Sequence, residues 1–218
     1  MKDQDLQIKS RSRVTNFAEV NTSEREVNSM LDLVSNETVR LDSRFLEPAC
    51  GDGNFLSKVL EIKVNVLVNK YKKSQYDFEK NGILAVGSIY GIDILFDNVQ
   101  LCKDRLYKII IDKYENLFGK VKNQNFIKSI EFILNKNIIH GDALTLNKVN
   151  SKSPIVFSEW GLINNKIKRR DFTLAMLLAY APFQKDSLFS DLGDEINLPE
   201  PIKEFPLLKF DRIFEVVG

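Results

Sequence analysis

Apolar positions along this chain switch between two rhythms, and the switching predicts its elements. Val27, Met30, Leu31 and Val34 form one helical stripe, opened by Ser23 and Glu26 in capping-box spacing. After a polar connection over 36–43, Arg44-Phe45-Leu46 reads as the tail of a first strand. Phe55, Leu56, Val59, Leu60 and Leu67 then return to helical spacing. That helix is expected to reach about Lys73, with Lys58, Lys63, Lys70, Lys72 and Lys73 on its polar side. A charged linker is expected over 74–82 and a second strand over Val86 to Ile94. Asp97 is placed to cap a helix that buries Val99, Cys102, Leu106, Ile109 and Ile110. A further helical segment near 123–134 carries Ile127, Ile130 and Leu134. Ile138-Ile139-His140 is expected as the third strand and Ile155-Val156-Phe157 as the fourth. Strands alternating with helical patterns predict an α/β fold whose mostly parallel sheet is joined by crossover helices.

The rhythm breaks after Arg170. Phe172 to Tyr180 fits a short helix, and Pro182, Pro199, Pro201 and Pro206 among acidic residues predict an extended or partly disordered tail. The expected organisation is a flexible N-terminal arm over 1–16, a core over 17–170, and residues 171–218 as an extension or the remainder of that core. A chain of 218 residues is long enough to bury one good core.

Charge and cysteine usage narrow the function classes. Thirty-one basic and thirty acidic residues leave a net charge of +1, without the basic excess of a stand-alone nucleic-acid binder. Cys50 and Cys102 share no metal-ligand spacing, which predicts free thiols in a reducing, cytoplasmic setting. His140 is the only histidine, and it reads as a strand-end residue, so no metal site is expected. No leader or membrane-spanning run is expected either.

The stretch with most chemistry is Leu46-Glu47-Pro48-Ala49-Cys50-Gly51-Asp52-Gly53-Asn54-Phe55. It reads as a strand end, a glycine turn and a helix start, where open α/β sheets bind nucleotide-like ligands. Gly51 and Gly53 can adopt positive φ and let a ligand approach the backbone. Amides at such a helix start suit an anionic group.

Glu47 to Phe55 resembles the S-adenosylmethionine (SAM) motif of DNA adenine-N6 methyltransferases of restriction–modification systems. The resemblance implies a Rossmann-like class I methyltransferase fold, a three-layer sandwich. It implies SAM as cofactor, with Glu47, Pro48, Ala49, Cys50, Gly51, Gly53, Asn54 and Phe55 around it. Thr22, in Glu19-Val20-Asn21-Thr22, stands where the family holds the methionine end, with Ser23 replacing a common Pro. Glu47 would face the ligand's ammonium side. Asp93 would take the ribose hydroxyls, Ile94 would pack on the adenine ring, and Asp142 with Ala143 would meet its amine. DNA is the implied partner. The chain lacks room for a target-recognition domain, so a separate specificity or restriction subunit is implied too.

The pattern breaks where that family carries Asn or Asp, Pro, Pro and an aromatic residue, which hold and stack a flipped base. Ser158-Glu159-Trp160 occupies the expected place. In one reading it is a diverged catalytic motif, with Trp160 as stacking platform and Ser158 or Glu159 as acceptor. In another the chain is a catalytically silent SAM-binding accessory subunit. In a third, Phe210 to Gly218 resembles the strand that leads into the missing motif, in a truncated or split chain. Lys166, Lys168, Arg169 and Arg170 are candidates for phosphate contact or for a solvated turn.

Overall fold

A computed structural model describes residues 24–119, 122–179 and 200–216 of the chain. The expected arm over 1–16, Thr22 and the capping residue Ser23 lie outside them, as does most of the tail after Ala179. The N-terminal half runs α1 (Glu24–Leu33), α2 (Ser35–Thr38), β1 (Phe45–Glu47), α3 (Asn54–Tyr71), α4 (Gln75–Gly87) and β2 (Ile89–Asp93). It continues through α5 (Phe96–Phe118), α6 (Gln124–Asn137), β3 (Ile138–Asp142) and β4 (Asn147–Lys148). The rest comprises β5 (Val156–Ile163), β6 (Lys166–Thr173), α7 (Leu174–Ala179), β7 (Lys203–Glu204), β8 (Leu208–Lys209) and a 3₁₀ helix (Phe210–Glu215).

The fold is mixed α/β with a mostly parallel sheet. β1, β2 and β3 are parallel neighbours in that order, and β4 closes the far edge antiparallel to β3. Among the described residues no strand pairs with the outer edge of β1. Side chains alternate across the sheet, so it has two different faces. Ile89 and Ile138 join the larger core, with Leu56, Leu60 and Leu67 of α3, Phe78 of α4, Leu106 of α5 and Ile130 of α6. Tyr90, Ile92 and Ile139 point the other way and meet Ile155, Phe157 and Leu174.

Several expectations change for identifiable reasons. The charged linker over 74–82 is the first half of α4. Ser74 caps it by accepting from the Asp77 amide, and its acid Glu79 is buried against Tyr114, Gln75 and Asn123. The second strand therefore starts at Ile89, because Val86 and Gly87 finish α4. Lys63 is not on a polar face but fully buried. Its ammonium donates to the carbonyls of Arg40, Leu41 and Ser43 and to Ser88 Oγ, which fastens the connection before β1. Asp97 lies in the first turn of α5 rather than at its cap.

The expected fourth parallel strand is the larger correction. β5 belongs to a second sheet, as one arm of a hairpin with β6. Asn164 and Asn165, both at positive φ, form the two-residue turn that matches the twist of a hairpin. The boundary drawn at residue 170 falls inside β6. Residues 203–204 and 208–209 extend that sheet, and Phe210–Glu215 is a 3₁₀ helix rather than a strand, with Phe210 and Ile213 buried.

Candidate functional site

The glycine turn lies at the carboxyl end of β1, beside the carboxyl end of β2. Gly51 has φ +54° and Gly53 φ +86°, and Gly53 is the residue from which α3 starts. These φ values favour glycine. A Cβ on Gly51 would meet nothing within 4 Å, so space opens above it. A Cβ on Gly53 would stand 2.7 Å from Cys102 Sγ, so this glycine lets α5 pack on the turn.

Asp93, at the end of β2, organises the surroundings. Its Oδ2 accepts from the Gly51 amide at 2.9 Å. Its Oδ1 accepts from the Leu95 amide at 2.8 Å and from Asn98 Nδ2 at 3.4 Å. The Gly53 amide donates to the Cys50 carbonyl at 2.8 Å. Both glycine amides expected to be free for an anion therefore have partners within the fold, and the turn offers a ligand open space instead.

Glu47 is the unusual group. Its Oε2 is buried without a hydrogen-bond partner. Burial, then the nearby charges of Asp93 and Asp52, push its carboxyl up from the ordinary 4.5 to about 8. Asp52 is paired with Arg105, whose guanidinium also donates to Asn54 Oδ1 at 2.6 Å. The result is an acidic notch with one orphaned acceptor, suited to a cation. Pro48 and Ala49 are exposed beside it, and Cys50 is buried. The Cys50 thiol is pushed up by its hydrogen bond with Cys102 and by burial. Phe55 packs on Phe45.

The neighbouring strand ends supply the other expected residues. Ile94 is half-exposed, and its carbonyl accepts from His140 Nε2 at 2.9 Å. The exposed ring of Phe96 stands edge-on to His140. Asp142 Oδ1 accepts from the Leu144 amide, and this bond first of all holds the carboxyl below its usual range. Ala143 packs on the smaller core. Glu47, Gly51, Asp93, Ile94 and Asp142 thus gather along the carboxyl ends of three adjacent parallel strands.

The chain matches no family model, no curated protein and no solved structure.

Ser158, Glu159 and Trp160 are not brought to this end. Glu159 pairs with Arg44, which immediately precedes β1, and with Arg170. Trp160 packs on Gly87, where an added Cβ would lie 2.9 Å from its ring, and Gly87 precedes β2. Glu159 and Trp160 therefore sit toward the amino ends of the strands, roughly 16 Å from the glycine turn by the five-residue length of β2. Trp160 is only 7 % exposed and meets Phe132 edge-on, so it presents no open face to a flipped base. Ser158 Oγ donates to Asp171 Oδ1 at 2.7 Å and accepts from Arg169 Nε, inside a buried network. Ser158 and Trp160 are thus packed into the fold, and Glu159 is held by two arginines.

The basic cluster is dispersed by the strand it lies on. Lys168 pairs with Glu204, Arg169 with Asp171 and Arg170 with Glu159. Arg105 and Asn98 are site residues that sequence reasoning missed. Their signal was faint: polar residues beside the Val99, Cys102 and Leu106 stripe of α5.

Two general features bear on the chemistry. Among the described residues, no group of three or more His, Cys, Asp or Glu is arranged to hold a metal. No helix there is long and apolar enough to cross a membrane.

Proposed function

We propose that the acidic notch binds SAM and that the chain is a Rossmann-like class I methyltransferase domain, three layers deep. The related activity is that of DNA adenine-N6 methyltransferases of restriction–modification systems. The observation that carries the reading is the orphaned Glu47 carboxyl beside the open space over Gly51, with Asp93 one strand away. An ammonium is the natural partner of a buried, unpaired acid. Asp93 retains lone pairs for ribose hydroxyls, since each carboxylate oxygen can accept more than one bond. Ile94 offers an apolar face to adenine, and Asp142 an acceptor to its amine. Thr22, Pro48 and Ala49 complete the set by resemblance. When bound, SAM supplies an electrophilic methyl group.

Two functions go with that cofactor. One is DNA adenine methylation by the chain itself. The other is an accessory subunit that holds SAM and works with a partner carrying the acceptor residues. The burial of Trp160 and Ser158 supports the second. In that role the chain acts in the cytoplasm on DNA, alongside a specificity or restriction subunit.

Titration calorimetry with SAM, followed by tritiated methyl transfer to unmethylated genomic DNA, tests both statements. Binding without transfer is the expected result. Transfer by the chain alone would overturn the accessory role, and absence of binding would overturn the cofactor assignment.

A further inference from the structure

A cavity lies at the opposite edge of the parallel sheet from the glycine turn, between β3 and the β5–β6 hairpin, with a volume of about 550 Å³. That is within the range of pockets that take small ligands. Its apolar lining comes from Ile139 of β3, Val149 and Val156. Its charge comes from Lys103 of α5, Lys136 at the end of α6 and Lys148 of β4. None of these three ammonium groups forms an ion pair with a carboxylate among the described residues. Lys103 donates to Asn135 Oδ1 at 3.0 Å, which holds the α5 lysine at the α6 end. Lys136 stands 5.5 Å from the Phe132 ring centroid.

The carboxylate that lines the cavity, Asp171, is already neutralised. Arg169 Nε and Nη2 donate to its two oxygens at 2.9 and 2.7 Å. Three cations from three separate elements thus surround a concave, partly apolar space without a matching acid. Burial pulls Lys103 and Lys136 below the usual lysine range, with the charge of Arg169 adding to the effect at Lys136. At Lys136 the like charges of Arg169 and Lys148 face one another, a repulsion that an anion relieves.

We infer that this cavity is a binding site for a phosphate-bearing ligand of nucleotide size, held by Lys103, Lys136 and Lys148 above an apolar floor. Asn135 and Ser151 also line the cavity and carry groups that can donate. The phosphate can belong to a free nucleotide or to a nucleic-acid backbone. The site is separate from the glycine turn, and its test does not depend on SAM binding.

The experiment uses the full chain with thymidine 5′-monophosphate, thymidine as uncharged control, and a fluorescein-labelled thymidine dodecamer at two salt concentrations. The monophosphate is expected to bind and thymidine not to. Lys148→Glu is expected to weaken binding at least about tenfold, a change of 1.4 kcal/mol, with the melting temperature unchanged because Lys148 is exposed. Lys148→Gln, expected to weaken binding less, guards against a folding defect from charge reversal. Dodecamer binding that is salt-dependent and equally sensitive to Lys148→Glu identifies a nucleic-acid backbone as the source. Monophosphate binding without dodecamer binding identifies a free nucleotide. Failure of both probes to bind the native chain would overturn the proposal, as would binding unchanged in Lys148→Glu.

Discussion

The main-chain amide of Gly51 donates to the carboxylate of Asp93 at 2.9 Å, tying the turn after β1 to the end of β2. The other oxygen of Asp93 accepts from the amide of Leu95 at 2.8 Å, at the start of α5. One side chain therefore sets the turn, the strand end and the helix start together. Asp93→Asn is expected to place an NH₂ group against one of these two amides, whichever way the side-chain amide is turned. The loss should be about 1–3 kcal/mol of stability, together with weaker SAM binding. Chemical denaturation and calorimetry measure the two effects, and a variant indistinguishable from the native chain in both would remove Asp93 from this role.

Glu47 makes stability depend on pH. In the folded chain its carboxyl keeps its proton up to about 8, against an ordinary value of 4.5. Between those values the folded state binds more protons than the unfolded one, so this contribution to stability falls as pH rises and levels off above about 8. Below 4.5 both states are protonated and the effect disappears. Glu47→Gln should therefore raise the melting temperature at pH 8 more than at pH 5, while weakening SAM binding. Parallel melting curves with no difference between the two pH values would contradict the burial of this acid. SAM binding by the native chain at pH 7 should also release protons, seen as a dependence of the calorimetric heat on buffer ionisation.

Trp160 is a packing residue in this structure, so Trp160→Ala should cost about 3–5 kcal/mol of stability. Trp160→Phe should cost far less, because the indole N–H has no partner to lose. Urea unfolding distinguishes the pair. A stable Trp160→Ala chain with a selective loss of methyl transfer would return this residue to an active site.

Lys63→Met replaces a fully buried ammonium with an isosteric apolar chain. The carbonyls of Arg40 and Ser43, now at 2.7 Å from the ammonium, lose their donor. The expected destabilisation is about 3 kcal/mol, with faster hydrogen exchange over 40–45. A neutral effect on the unfolding midpoint would show that these carbonyls find other donors.

The two turn glycines should respond differently. Gly53→Ala forces a Cβ to within 2.7 Å of Cys102 Sγ and should destabilise the fold. At Gly51 an added Cβ meets no atom within 4 Å, so beyond the strain of its positive φ Gly51→Val should chiefly remove SAM binding. Normal SAM affinity in Gly51→Val, measured by calorimetry, would exclude ligand from the space above the turn.

Much of the fold was legible because it rests on contacts a few residues apart. The stripe over Phe55 to Leu67 gave α3, and the apolar run at Ile138 gave β3. The spacing of Glu47, Gly51 and Gly53 marked the turn before any strand was paired. Other features resisted because their local signals were ambiguous. Lys63 reads as solvent-facing until the carbonyls of the 40–43 connection surround it. Glu79 made a buried helix look like a charged linker, since its partners Tyr114 and Asn123 lie far along the chain. The Asn164-Asn165 pair is a hairpin signal only once its positive φ values are known, since Asn is also common in other loops.

The sequence by itself determined the alternation of strands and helices, the glycine turn and the acids that end β1 and β2, because side-chain periodicity and turn chemistry act locally. Only the tertiary structure decided which end of the sheet each candidate occupies. It put Glu47, Gly51 and Asp93 together at the carboxyl ends and Trp160 in the interior beside Gly87. It also brought Lys103, Lys136 and Lys148 to one cavity from three elements. The physical reason is that strand pairing and hairpin direction are settled by non-local burial, and a charge's role depends on what the completed fold sets beside it.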